Sequence, residues 1–172
     1  PDAILNIVDG SNIERNLYLT TQLLELGIPV VMAVNMMDLV KKNGDSINIK
    51  NLKEALGCEV VEISALKGTG INEVKEKAVA AAKAKAANKI VHKFDDKVET
   101  AIDSVSAKLD IEENKKRFFA IKLIEKDSKI IEQMKNAPDC SVEIKQLEDE
   151  FDDDTESIIT NERYSYITSI ID

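Results

Sequence analysis

The sequence predicts an α/β fold: a partial parallel sheet layered with helices over residues 1–87, followed by a small all-α helical bundle over residues 88–172. Three observations predict it. Short β-branched runs alternate with stretches of helical periodicity in the first half. All six glycines fall at or before Gly70, so the second half has no turn glycine to end a strand. Beyond Phe94 the apolar residues recur at the spacing of a helix face.

Residues 3–8, Ala-Ile-Leu-Asn-Ile-Val, form an apolar run that ends at the turn signal Asp9-Gly10-Ser11, as a buried parallel strand does. Leu17, Leu19, Leu23, Leu24 and Leu26 then follow helical spacing, and Gly27 can stop the helix by adopting positive φ. Pro29 leads into a second strand, Val30 to Val34, which ends in Asn35-Met36-Met37-Asp38. Leu52, Ala55 and Leu56 line one side of a short helix closed by Gly57. A third strand, Glu59 to Ile63, ends in Ser64-Ala65-Leu66-Lys67-Gly68-Thr69-Gly70, and an alanine-rich helix runs from Ile71 to about Ala87. Alternation with short connections gives a parallel sheet with right-handed crossovers. Ligands bind such sheets at the carboxyl ends of the strands, which is where residues 35–38 and 64–70 lie.

In the second half, Phe94, Val98, Ala101, Ile102, Val105 and Leu109 share one helix face. Phe118, Phe119, Ile121, Leu123 and Ile124 form another cluster, continued by Ile130, Ile131 and Met134. Asn136-Ala137-Pro138-Asp139 is a break. Ile144, Leu147 and Phe151 begin a further helix, and Ile158, Ile159, Tyr166, Ile167, Ile170 and Ile171 form the last. Four or five helices in a bundle are expected.

Composition narrows the chemistry. With 44% hydrophobic and 32% charged residues the chain reads as globular, and a net charge of −9 disfavours nucleic acid as a partner. Cys58 and Cys140 have no C-x-x-C partner and read as free, packed thiols of a reducing compartment. The sole histidine, His92, has no second ligand beside it. The acidic run from Asp149 to Asp154 reads as a solvated face or helix start, because its side chains point around a helix rather than converging on a cation. No metal ligands and no catalytic residues are assigned. No apolar run approaches the ~18 residues of a membrane span, and no signal peptide is present, so the chain as given reads as soluble and cytoplasmic. Opening at Pro1 on an immediate strand, it also reads as a fragment.

Asn35-x-x-Asp38 alone is weak, since Asp38 can simply cap a following turn. Its pairing with a second loop one strand later, of the form S-A-x-K-G-x-G before a helix, is more specific. Together the two loops resemble the base-binding elements of GTP-binding proteins. That resemblance implies that Asp38 accepts hydrogen bonds from the guanine N1–H and amino group. It implies that Asn35 braces the loop and touches the base edge. Ala65, flanked by Ser64 and Leu66, would offer its backbone N–H to the guanine oxygen. A charged hydrogen bond is worth ~1.5–3 kcal/mol, and a site built on it rejects a base lacking the donors. Nowhere does the chain carry a G-x-x-x-x-G-K-S/T phosphate loop. Since phosphoryl transfer depends on that loop and its metal, the chain alone is expected not to hydrolyse GTP.

Two stretches are similar to the ferrous iron transport protein B family of bacteria and archaea. One is Asp2 to Asp38, D-A-I-L-N-I-V-D-G-S-N-I-E-R-N-L-Y-L-T-T-Q-L-L-E-L-G-I-P followed by V-N-M-M-D, within which N-I-E-R-N-L-Y-L-T is the most specific part. The other is R-Y-S-Y-I at 163–167. The resemblance implies a P-loop NTPase-like G domain that binds GTP or GDP with magnesium and regulates ferrous iron uptake. It also implies a helical spacer before a membrane channel domain of the same parent, at the cytoplasmic face of the cell membrane. The magnesium ligands are not among these residues. Met36 stands where general GTPases carry lysine; it keeps the packing and loses the charge, so GDP is expected to leave faster. If no strand precedes residues 3–8, their exposed edge is expected to drive homo-oligomerisation. Two other readings compete. A ribosome-assembly-type GTPase fragment would need a basic second domain, and in a non-catalytic interaction fragment the loops would survive only as scaffold.

Overall fold

A computed structural model describes residues 1–171 of the chain. The elements run β1 (Ile4–Asp9), a single 3-10 turn (Gly10–Asn12), α1 (Ile13–Leu24), β2 (Val30–Asn35), α2 (Met37–Lys42), α3 (Ile49–Leu56), β3 (Glu59–Glu62) and α4 (Ile71–Ala84). They continue with α5 (Asp96–Ala107), α6 (Glu113–Ile124), α7 (Ser128–Gln133), α8 (Ser141–Phe151) and α9 (Thr155–Ile171). The chain divides into two compact units: Pro1–His92 with the end of α9 from Ile167, and Lys93–Tyr166.

In the first unit, three strands pair in parallel in the order β1-β2-β3. Successive residues of a strand face opposite sides, so the central strand β2 must be apolar throughout. Val30, Met32 and Val34 face one side, packing with Val8, Leu17, Leu24, Leu52 and Leu56. Val31 and Ala33 face the other, beneath α4, with Val61, Ile63 and Val74. Burying each such side chain contributes about 1.5–3 kcal/mol. Ile167 joins the first cluster, and Ile170 and Ile171 pack against it. Among the described residues β1 is hydrogen-bonded only to β2, and its Leu5 and Ile7 side chains are exposed. Helix α4 stops at Ala84, where Lys85 turns left-handed at φ 52°, three residues before the end its alanine pattern suggests.

The segment after α4 is neither helix nor strand, yet it is fixed to the first unit. Asn88 Oδ1 accepts from Val30 N–H at 2.6 Å, and its Nδ2 donates to Gly57 O at 3.5 Å. His92, isolated in sequence, is buried with its Nε2 2.8 Å from Glu25 Oε1. Gly57 sits at φ 66°, donates to Lys53 O, and would bring an added Cβ within 2.4 Å of Lys89 O. It ends α3 and makes room for this strap.

The second unit is helical. Val98, Ala101, Ile102 and Val105 of α5 meet Ala120, Ile121, Leu123 and Ile124 of α6, with Leu147 of α8 and Ile158 and Ile159 of α9. These are the faces the periodicity marks. Helix α7 differs: it has no buried residue, and Ile131 is exposed. Acidic side chains cap the helices, Asp95 on α5 and Asp127 on α7. Asp154 accepts from Ser157 N–H and Oγ in the first turn of α9, which holds its carboxyl below the usual range. Phe94 lies between two guanidinium groups, Arg117 at 5.4 Å and Arg163 at 5.5 Å from its ring centre, and Arg117 grips Glu99 with two bonds of 2.7 and 2.8 Å.

Candidate functional site

Two loops leave the carboxyl ends of adjacent parallel strands and face each other. The ladder between β2 and β3 continues past the strands: Ile63 N–H donates to Val34 O at 2.8 Å and Met37 N–H to Ile63 O at 3.3 Å. This stitches the loops into one rigid edge. In the first loop Met36 adopts the left-handed conformation, φ 62°, which costs a non-glycine residue about 1–2 kcal/mol. That kink starts α2 at once and sets Asp38 in its first turn. The sequence pattern did not show this short helix, because six residues are too few to establish a period.

The second loop closes on itself. Ser64 and Thr69 exchange backbone hydrogen bonds of 3.1 and 3.2 Å. Gly68 and Gly70 both have positive φ, 70° and 75°. A Cβ on Gly70 would lie 2.2 Å from Glu62 O, so the loop can press onto β3 only with glycine there.

The predicted residues come together. Asn35 Oδ1 accepts from Ala65 N–H at 3.0 Å, and Ser64 Oγ donates to Asp38 Oδ1 at 2.9 Å. The Ser64 hydroxyl holds the Asp38 carboxyl below its ordinary 3.8, with smaller help from Lys67 and against the cost of partial burial. Asp38 is therefore an ionised acceptor at neutral pH. Asn35, Met36, Asp38, Leu39, Ser64, Ala65 and Leu66 line a cleft of about 450 Å³. Its rim is apolar: Met36 is 42% exposed, Leu39 39% and Leu66 90%. Exposed apolar side chains around a buried polar floor suit a flat ring that brings its own hydrogen-bonding edge.

Two contributors carry no role in the sequence reading. Leu39 was detectable, lying three residues beyond Met36 on the same helical turn. Lys67, whose Nζ stands 3.7 Å from Asp38 Oδ2, was visible only as a letter in the loop pattern, with nothing to say which way it points. Away from this cleft, the described residues contain no group of three or more His, Cys, Asp or Glu placed to hold a metal ion. Among them, no helix is long and apolar enough to cross a membrane.

Comparison with known proteins follows the same division. The family model for ferrous iron transport protein B matches residues 1–78, and that for the FeoB cytosolic helical domain matches residues 94–172. The Fe(2+) transporters FeoB of Escherichia coli (strain K12) and Salmonella typhimurium (strain LT2) are 50% identical over 74 residues. That match covers 43% of this chain and 10% of each transporter, so the region compared is a small part of those proteins. A point mutant of S. thermophilus NFeoB bound to GMPPNP superposes with a TM-score of 0.93 at 40% identity, covering 99% of this chain and 68% of that one. NFeoB from S. thermophilus bound to GDP.AlF4- and K+ gives 0.90 at 40% identity over the same shares. With parallel sheet and helical unit both matched at that identity, the chain belongs to the ferrous iron transport protein B family, in which it corresponds to cytosolic G-domain and helical-domain sequence.

Proposed function

We propose that the cleft between residues 35–39 and 64–66 reads the guanine base of GTP or GDP. The nucleotide state of the parent protein then regulates ferrous iron uptake. The first unit serves as the base-reading part and the helical second unit as a spacer toward a membrane channel domain, at the cytoplasmic face of the cell membrane. The observation that carries this reading is the ionised Asp38, held by Ser64 at the floor of an apolar-rimmed cleft. Guanine offers two donors on one edge, and a carboxylate accepts both; adenine leaves the carboxylate unpaired. Solved relatives bound to GMPPNP and to GDP.AlF4- support it by analogy.

In this proposal Asp38 selects the base, and Asn35 braces Ala65. Met36 and Leu66 cover the ring faces. The residues present fit a guanine base. Among the described residues no group of three or more His, Cys, Asp or Glu is placed to hold a metal ion, and the 172 residues contain no G-x-x-x-x-G-K-S/T loop, so no magnesium-holding role is assigned to these residues. Base reading is therefore the function assigned to these loops, and hydrolysis is not.

A fluorescent-GDP titration tests the reading, with unlabelled GTP and ATP as competitors. Saturable binding displaced by GTP and not by ATP is expected, and displacement by both alike would remove the base-reading role. A complete G domain carrying Met36→Lys should release GDP about 3- to 10-fold more slowly than its Met36 parent in stopped flow, since the ammonium restores a charged contact of ~1 kcal/mol. Equal rates would discard the role given to Met36.

The exposed β1 edge supports a second, separate proposal: self-association of the 172-residue chain through residues 3–8. Leu5 at 40% and Ile7 at 60% exposure lie on a strand that, among the described residues, pairs only with β2, an arrangement that pairs readily with another strand. Light scattering of this chain should show dimer or larger species, and a concentration-independent monomer would rule the contact out.

A further inference from the structure

The groups that a base would engage are already engaged with one another. Ala65 N–H donates to Asn35 Oδ1, Asp38 Oδ1 accepts from Ser64, and Asp38 Oδ2 faces the Lys67 ammonium at 3.7 Å. Lys67 is tied into this arrangement by its backbone as well. Its N–H donates to Ser64 Oγ at 3.3 Å, so one hydroxyl links the lysine's main chain to the carboxylate its side chain faces. The loop cannot relax freely, because the Ser64–Thr69 bridge closes it and the two positive-φ glycines flank Thr69. The side chain itself is 62% exposed, against 22% for Asp38, so the ammonium reaches in from solvent and can withdraw to it.

Resting on the guanine reading above, we infer that Lys67 sets the affinity of the cleft by competing with the base for Asp38. Guanine entry exchanges the Lys67 contact for two donors on the same carboxylate. A base without those donors would displace the ammonium and leave the carboxylate facing nothing. The lysine therefore weakens binding of any base that displaces it from Asp38, while discrimination between bases stays with the carboxylate.

The effect is that of an exposed ion pair, small and sensitive to salt. Uncharged guanosine is the suitable probe, because it carries no phosphate for Lys67 to attract. In the isotopically labelled 172-residue chain, the Ala65 amide shift reports binding. Lys67→Gln should tighten guanosine about 2- to 5-fold at low ionic strength. The wild-type affinity should rise as salt screens the pair, the Lys67→Gln affinity should not, and Lys67→Arg should restore wild-type behaviour. Unchanged or weaker guanosine binding in Lys67→Gln would overturn the competition. So would tightening that keeps the wild-type salt dependence, since the effect would then arise outside the ion pair. If guanosine perturbs Ala65 in neither protein, the guanine reading fails and this inference with it. Guanosine binding that ignores Lys67 sinks the inference alone.

Discussion

If the cleft reads guanine as proposed, replacing Asp38 by asparagine should reverse its base preference. The carboxylate offers two acceptors, whereas an amide offers one acceptor and one donor. Against guanine, the amide donor would meet the base's own amino group, so a charge-assisted bond is lost and two donors are opposed. With the lost charged bond worth ~1.5–3 kcal/mol, guanosine affinity should fall roughly 10- to 150-fold. Xanthine presents N–H and a carbonyl on that edge, which match an amide. Xanthosine should therefore bind Asp38→Asn better than wild type. The fold should not suffer, because Asp38 keeps a similar shape and Ser64 can still donate to the amide oxygen. A competition titration with guanosine, xanthosine and adenosine measures all three. Loss of guanosine without any gain of xanthosine would point to a collapsed loop rather than an altered reader.

Gly70→Ala should be the most damaging single methyl in the first unit. The position has φ 75°, and the added Cβ would meet the Glu62 backbone oxygen at 2.2 Å and Ile63 Cγ2 at 3.0 Å. The left-handed conformation alone costs about 1–2 kcal/mol, and moving a backbone carbonyl at the end of β3 adds to it, for roughly 3 kcal/mol in all. Two readouts should move together. The urea midpoint should fall, and base binding should weaken because Ser64 and Ala65 sit on the loop that must shift. Gly44→Ala is the matched control: it also has positive φ, 85°, but nothing lies within 4 Å of its Cβ, so it should lose only the conformational part. Equal losses at the two positions would show that the contact with Glu62 is not what fixes the loop.

Local pattern made much of this visible. The alternation of strands and helices, the buried central strand and the faces of α5 and α9 all follow from periods of two and 3.6 residues, and these are written in consecutive residues. That Asn35, Asp38, Ser64 and Ala65 lie side by side follows from both loops terminating strands of one parallel sheet. What remained hidden is non-local. His92, isolated in the chain, is buried against Glu25, 67 residues away. Arg163, a letter in a terminal motif, is fully buried with its guanidinium near Phe94. The isoleucines at 167, 170 and 171 were legible as a helix face, but nothing in their spacing says that they belong to the first unit's core. Lys67 and Asp38 are 29 residues apart in sequence and meet only because the β2–β3 register brings their loops together.

The strap from Asn88 to His92 changes how this protein can be engineered. By composition, the alanine- and lysine-rich stretch after α4 looks like the natural place to splice in a fluorescent domain, an affinity tag or a cleavage site. Its anchors to Val30, Gly57 and Glu25 make it a poor one, since an insertion there would pull on the start of β2 and the ends of α1 and α3 together. The exposed turn at 43–46, where Gly44 has open space around it, is the better port. A reporter placed there would ride on the same unit as the cleft between residues 35–39 and 64–66 without loosening the sheet beneath it.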